Sequence, residues 1–279
     1  MQLQVQEAIG TVINDDAAPT NLYLLDGLNR LFLVNTATAA ITQIGTIPLR
    51  GPVIDIVSDQ SGRLLSLDSL ASPVPNNLYT TNLTTLATSF VSPVLGFPGG
   101  VSEEEGDAAF DVVDGNLYAV FDTNPQRPPE LFRINVATGA VTNVGNITVG
   151  GTNLAQNNDD TDMNYLGYFN GTLYCALGGQ ITGPHANFAN SLFTINPNTG
   201  AATLVGPLGV TLSFGGTGGG MDYDPISGNF YLMDSPSGLL YAVSPVTGRQ
   251  PWSEMLVLYA SRSGFLLHRF QLLGLSVLP

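Results

Sequence analysis

Along most of this chain apolar and polar residues alternate in short runs, broken by clusters of Gly, Asn, Asp and Thr. A period of two puts successive side chains on opposite faces of an extended backbone, so the pattern predicts short β-strands joined by turns. The segment "LFRINVATGAVTNVG", from Leu131, shows the unit. Leu-Phe-x-Ile alternates, a polar turn follows from Asn135 to Gly139, and Ala-x-Thr-x-Val alternates again. The turn glycine supplies the positive φ that closes a bulged hairpin.

The unit recurs. Aligned leucines begin "LFLVNTATAAITQIG" at Leu31, "LYTTNLTTLATSFVS" at Leu78, "LFTINPNTGAATLVG" at Leu192 and the last copy, in "LLYAVSPVTG", at Leu240. The spacings are 47, 53, 61 and 48 residues, the period of stacked supersecondary units. Ala39 and Leu86 stand where other copies have the turn glycine, so those two turns are expected to differ or to be strained. A second hairpin precedes the unit at 54–68, 110–122, 165–177 and 221–234. Its turns, Asp114-Gly115, Asn170-Gly171 and Ser227-Gly228, are strong hairpin signals. Each repeat therefore holds four antiparallel strands, and nothing long before residue 250 has helical periodicity.

The predicted fold is all-β: a β-propeller of about five to six four-stranded antiparallel blades over residues 1–248, incomplete at its C-terminal side. A β-sandwich is the competing architecture, but sandwiches rarely repeat internally. The N-terminal "EAIGTVI" resembles an outer strand such as "QIGTI" at 43–47, and either completes the last blade or is the remnant of a lost one. The Leu-Tyr/Phe-x-Ile-Asn-x-x-Thr-Gly-x-x-Thr-x-Val-Gly signature, over residues 20 to 248, resembles that of uncharacterised secreted bacterial β-propeller repeat proteins. The resemblance implies the fold and an exported protein. It says little about function, because its motif consists of core and turn positions.

Composition narrows the partners. The net charge is −14 with eight arginines and no lysine, so a phosphate backbone is repelled and nucleic acid is excluded as a partner. A continuous apolar run long enough for a transmembrane helix is absent from the sequence. The first residues lack the basic and apolar regions of a signal peptide, whereas the composition suits an exported β protein; a truncated start would reconcile the two. Cys175, the single cysteine, sits in the strand pattern "TLYCALGG" and is expected to be a small buried apolar residue.

Loop length points to the binding side. In a four-stranded meander the first-to-second and third-to-fourth turns share one face, and here they are short. The connections on the other face are long: 68–77, 93–109, 122–130, 146–163, 178–191 and 207–220. Binding residues gather on such loops. Two of them carry acidic clusters. Glu103, Glu105 and Asp107 in one, and Asp159, Asp160 and Asp162 in the other, offer the oxygens that calcium prefers, without the EF-hand spacing. Either set could instead be a solvated acidic loop. His185 and Phe188 in "GGQITGPHANFANS", with Arg127 in the 122–130 connection, are the candidate ligand-binding residues. The run "FGGTGGGMD" lacks the lysine of a phosphate loop and leads into a strand, so close packing near the axis is expected. No nucleophile elbow and no His-Glu-x-x-His occurs, and no catalytic residue is assigned.

The functional expectation is an extracellular or cell-surface binding propeller, a monomer, whose partner is a protein or a carbohydrate. The alternative is a calcium-dependent, lactonase-like or hydrolytic propeller using the acidic links. Residues 249–279 form a separate puzzle. A coding string GCG GCA ACC CTG GTC GGA for Ala-Ala-Thr-Leu-Val-Gly, as at 201–206, becomes CGG CAA CCC TGG TCG GA on loss of its first base. That reads Arg-Gln-Pro-Trp-Ser and then Glu, the residues at 249–254. The tail is therefore expected to be frameshifted and to carry no function, the alternatives being a C-terminal helix or strands of the last blade.

Overall fold

The computed structural model describes residues 21–26, 28–35, 40–49, 53–59, 62–68, 76–94, 106–121, 128–154, 165–178, 183–212, 219–234, 239–249, 256–257 and 272–277. The N-terminal "EAIGTVI" lies outside them.

Five four-stranded antiparallel sheets follow one another as blades. Blade 1 contains β1 (Asn21–Asp26), β2 (Arg30–Asn35) and β3 (Ile41–Thr46). Blade 2 is β4 (Val53–Ser58), β5 (Arg63–Asp68), β6 (Asn77–Asn82) and β7 (Thr88–Pro93). Blade 3 is β8 (Gly106–Asp111), β9 (Asn116–Phe121), β10 (Glu130–Asn135) and β11 (Val141–Asn146). A two-residue hairpin, β12 (Thr148–Val149) with β13 (Thr152–Asn153), then adds to the outer edge of blade 4. Blade 4 is β14 (Tyr165–Phe169), β15 (Thr172–Leu177), β16 (Ser191–Ile195) and β17 (Ala201–Pro207), with a 3-10 helix at Gly183–Phe188 before β16. Blade 5 is β18 (Gly219–Asp224), β19 (Asn229–Asp234), β20 (Leu239–Val243) and the short β21 (Leu256–Val257). The inner place of blade 1 is filled from the far end of the chain: β22 (Leu272–Val277) runs antiparallel to β1. The inner strands β22, β4, β8, β14 and β18 pack side by side around a closed ring. The architecture is thus the all-β propeller that the repeat predicts, with five blades.

The core is divided into five seams, one between each pair of neighbouring blades. Tyr118, Val120 and Leu131 of blade 3, for example, meet Leu166, Leu173 and Phe193 of blade 4, while Leu22 and Val34 of blade 1 meet Met233 and Leu240 of blade 5. Alternation along each strand supplies both faces, which is why a strictly period-two sequence suffices to bury a blade between two others.

The polar letters of the repeat build the turn between third and fourth strands. Asn135 Oδ1 accepts from the N–H groups of Ala137 and Thr138, both at 3.0 Å, and Thr138 Oγ1 accepts from Ala140 N at 3.3 Å. Asn82 and Thr85 do the same in blade 2. The glycine has a second duty beyond its positive φ. A Cβ on Gly200 would lie 2.5 Å from the Asn146 carbonyl of blade 3, and one on Gly248 would lie 2.6 Å from the Gly206 carbonyl of blade 4. In blades 3, 4 and 5 the turn presses on the fourth strand of the blade before it. Leu86 breaks the rule as expected: it holds φ at 54°, and its side chain fills the space above Gly45 of blade 1. Ala39 lies outside the described residues.

The closing bulge also repeats. In blade 4, moving up the hairpin from the Asn196–Ala201 bond to the Leu192–Gly206 pair takes four residues on the third strand and five on the fourth. Blade 3 repeats this from Asn135–Ala140 to Leu131–Gly145. Blade 5 does not: from Ser244–Arg249 to Leu240–Leu256 the count is four against seven.

Candidate functional site

At the axis the structure brings together two carboxylates. Asp55, in the middle of β4, and Asp107, near the start of β8, are 2% and 1% exposed. Asp55 Oδ1 accepts from Ile56 N at 2.7 Å and its Oδ2 accepts from Ala108 N at 3.1 Å. Asp107 Oδ1 accepts from Ala108 N at 2.9 Å, and its Oδ2 accepts from Leu166 N of β14. Each aspartate therefore reaches the backbone of the next inner strand, so blades 2, 3 and 4 are tied in sequence. The two side chains also share a hydrogen bond. Burial, then the Asp107 charge, holds Asp55 well above the usual carboxylate range. Burial pushes Asp107 up to about 7, against the pull of the hydrogen bonds that it accepts from Asp55, Leu166 and Ala108. Asp222 of β18 adds its charge to the same region.

One end of the axis opens into a cavity of about 230 Å³ where the inner strands reach their hairpin turns. Phe110, Tyr168, Phe169 and Tyr223 line it, with Asp222 and Ser58 among its polar groups. Its wall is braced. Phe169 and Tyr223 stack with centroids 3.8 Å apart, and Tyr223 meets the buried Phe230 edge-on at 5.4 Å. Gly167 makes that possible, since a Cβ there would lie 2.6 Å from the Phe230 ring. The rim turns are set by aspartate. Asp111 Oδ1 accepts from Val113 N at 2.8 Å, and Asp224 Oδ1 accepts from Ile226 N at 2.9 Å. These turns carry apolar side chains into solvent: Val113 is 79% and Ile226 is 47% exposed. Between blades 3 and 4, Tyr118 donates to Asp114 Oδ2 at 3.1 Å, and burial with that bond pushes its hydroxyl up to about 12. Tyr168 is raised too, by burial and then by Asp111.

The residues singled out from the sequence are scattered relative to this site. Glu103, Glu105, Asp159, Asp160, Asp162 and Arg127 lie outside the described residues. Asp107 belongs to an inner strand rather than to the preceding connection, because β8 begins at Gly106. His185 lies in the 3-10 helix. The Phe188 ring stands edge-on to Phe193 at 5.5 Å and packs on the seam between blades 3 and 4. Cys175 is the small buried residue expected, and burial drives its thiol far upward. Among the described residues no group of three or more His, Cys, Asp or Glu side chains is placed to hold a metal ion. The sequence reading missed Asp55. A signal was present: Asp55 and Asp107 each stand four residues before a turn aspartate, Asp59 and Asp111.

No known protein family and no curated protein matches the chain. Solved structures do. A chain of a nidogen/laminin complex superposes with a TM-score of 0.54 at 14% identity, covering 92% of this chain and 98% of its own length. A protein of unknown function from Bacteroides caccae gives 0.43 at 13% identity, over 84% of this chain and 72% of its own. TolB from Acinetobacter baumannii gives 0.42 at 12% identity, over 81% and 53%. At such identity the likeness to the nidogen/laminin chain shows the fold alone, the β-propeller.

Proposed function

We propose that this chain is a binding propeller of the cell exterior that holds a protein partner and catalyses nothing. The observation that carries the reading is the set of apolar side chains left in solvent on the turns of one face. Val113 is 79%, Val246 80% and Ile226 47% exposed, with Val112 beside Val113. Apolar side chains gathered on one face mark contact surfaces for other proteins, which favours a protein over a carbohydrate. The nidogen/laminin likeness agrees with this, since that propeller fold occurs in a protein complex. The opposite face, with its long connections, keeps the binding role expected from the sequence, on a ring that acts as a monomer.

A calcium-dependent hydrolytic role fits less well at Asp107, whose two oxygens are engaged by the Ala108 and Leu166 amides. Among the described residues no helix is long and apolar enough to cross a membrane. The test is an array of extracellular-matrix and cell-surface proteins and glycans probed with the immobilised full chain. The expected result is saturable retention of a protein. Turnover of lactone or ester substrates with no retained partner would overturn the reading.

A further inference from the structure

The axial cavity at the turn face has the chemistry of a cation box. Its wall is aromatic, built by Phe110, Tyr168, Phe169 and Tyr223, and the single charge among its described lining residues is the Asp222 carboxylate. An ammonium group is attracted to the negative faces of aromatic rings and gains further from a nearby carboxylate. The opening suits one side chain rather than a folded domain, at about 230 Å³. It is also preorganised. Phe169 stacks on Tyr223, Tyr223 abuts Phe230, and Asp222 is oriented by accepting from Tyr223 N at 2.8 Å. A rigid wall loses little freedom when a ligand enters.

The surroundings specify what carries the cation. Val112 belongs to the cavity lining, and Val113 and Ile226 stand next to it on the same turns, all exposed. A free amine would leave these side chains in water; an apolar chain flanking the amine would cover them. The chain itself contains no lysine and has a net charge of −14, so the ammonium must come from another kind of molecule. We propose that the mouth of the axial channel binds a lysine side chain presented by an apolar segment of a partner protein, the ammonium resting against Asp222 and the aromatic wall. This rests on the reading of the chain as a protein-binding propeller and gives that reading one seat and one partner chemistry.

Isothermal titration of the full chain tests it, with an acetylated and amidated pentapeptide holding lysine between valines as probe. Saturable binding is expected. Replacing the lysine by norleucine should weaken it about tenfold, and replacing it by glutamate should abolish it. Affinity should fall as salt is raised, because Asp222 is only partly buried. Asp222→Asn keeps the acceptor for Tyr223 N and removes the charge, so it should cost about tenfold. Val113→Ser and Ile226→Ser alter exposed turn positions and should weaken binding with no change in melting temperature. Leu204→Ser, on the outer strand of blade 4 and away from the mouth, should change nothing. Equal affinity of the norleucine peptide, full affinity of Asp222→Asn, or no binding of the lysine peptide would each overturn the assignment. A natural partner that binds the wild-type and Asp222→Asn chains alike would also overturn it, while leaving the interaction role in place.

Discussion

The axial acid pair makes the ring sensitive to pH in a direction opposite to that of most carboxylates. Unfolded, Asp107 would lose its proton near pH 4; in the native ring it holds it to about 7. Between those values the native state binds more protons than the unfolded one, so stability falls as pH rises. The contribution is fully present below about pH 4 and is lost once the pH has passed 7. A displacement of about three units corresponds to about 4 kcal/mol. Domains are commonly stable by about 5–15 kcal/mol, so the effect is large. About two of those units, roughly 3 kcal/mol, fall between pH 5 and 8. With an unfolding entropy of about 2.1 cal/mol/K per residue, a chain of this length should melt about 5 °C lower at pH 8 than at pH 5. Circular dichroism melts at several pH values measure this directly.

The variant Asp55→Asn separates the two carboxyls. An amide in place of Asp55 still donates to Asp107 and removes a carboxyl that burial holds above its usual range, while burial keeps Asp107 raised. The slope between pH 5 and 8 should therefore shrink without vanishing. At pH 5 the variant should itself be weaker by about 1–3 kcal/mol, because one of the Ile56 and Ala108 amides loses its acceptor. A wild-type melting temperature that is flat from pH 5 to 8, or a variant with the wild-type slope, would refute the reasoning. Other groups that face the pair are Asp222 on β18 and the Cys175 thiol on β15. Asp222→Asn should therefore also reduce the slope, by less.

Three further outcomes follow from the packing. Gly200→Ala places a Cβ against the Asn146 carbonyl at a φ of 70°, and should cost about 2 kcal/mol or more in denaturant unfolding. Gly167→Ala pushes on Phe230 and through it on Tyr223, so it should destabilise by about 1–3 kcal/mol and change the tyrosine near-ultraviolet signal. Cys175 should resist an aromatic disulfide reagent at pH 8 in the native ring and react as one thiol in denaturant, since burial disfavours its thiolate.

The repeat was legible because its letters are local. Asn135, Thr138 and Gly139 form one turn by hydrogen bonds within six residues, so their spacing survives in the sequence as a motif. Leu86 could be flagged for the same reason. Asp55 and Asp107 could not be paired in advance, because their meeting depends on which strand lies innermost and on how two blades turn toward each other. The same holds for Phe169 and Tyr223, which come from blades 4 and 5. The pairing of β22 with β1 is the extreme case. It joins opposite ends of the chain, and "LLGLSV" carries none of the repeat.

The fifth blade shows what the repeat glycine of a fourth strand is for. In blades 1, 3 and 4 the bulge falls at Gly45, Gly145 and Gly206, and in blades 3 and 4 that strand end takes the next blade's turn. After Gly248 the sequence offers no Val-Gly at that place, and two more residues than in blade 4 separate the turn from the Leu240–Leu256 pair. A fourth strand written for this fold would keep the spacing. We propose a shifted reading frame as the origin of the slip, which would leave an intact turn followed by residues not selected for the propeller. The apolar run at 272–277 can still pair with β1, because an inner strand between two blades demands little beyond apolar, extended residues. Sequencing the coding DNA is expected to show an alternating strand ending in Val-Gly when the codons after Gly248 are read in the other frame. A second, independent check is a chain in which residues 249–254 are replaced by Ala-Ala-Thr-Leu-Val-Gly. It should melt higher than the original, because the turn of blade 1 regains the bulge against which the other turns pack. An alternate frame without the repeat, together with an unchanged melting temperature, would sink the idea.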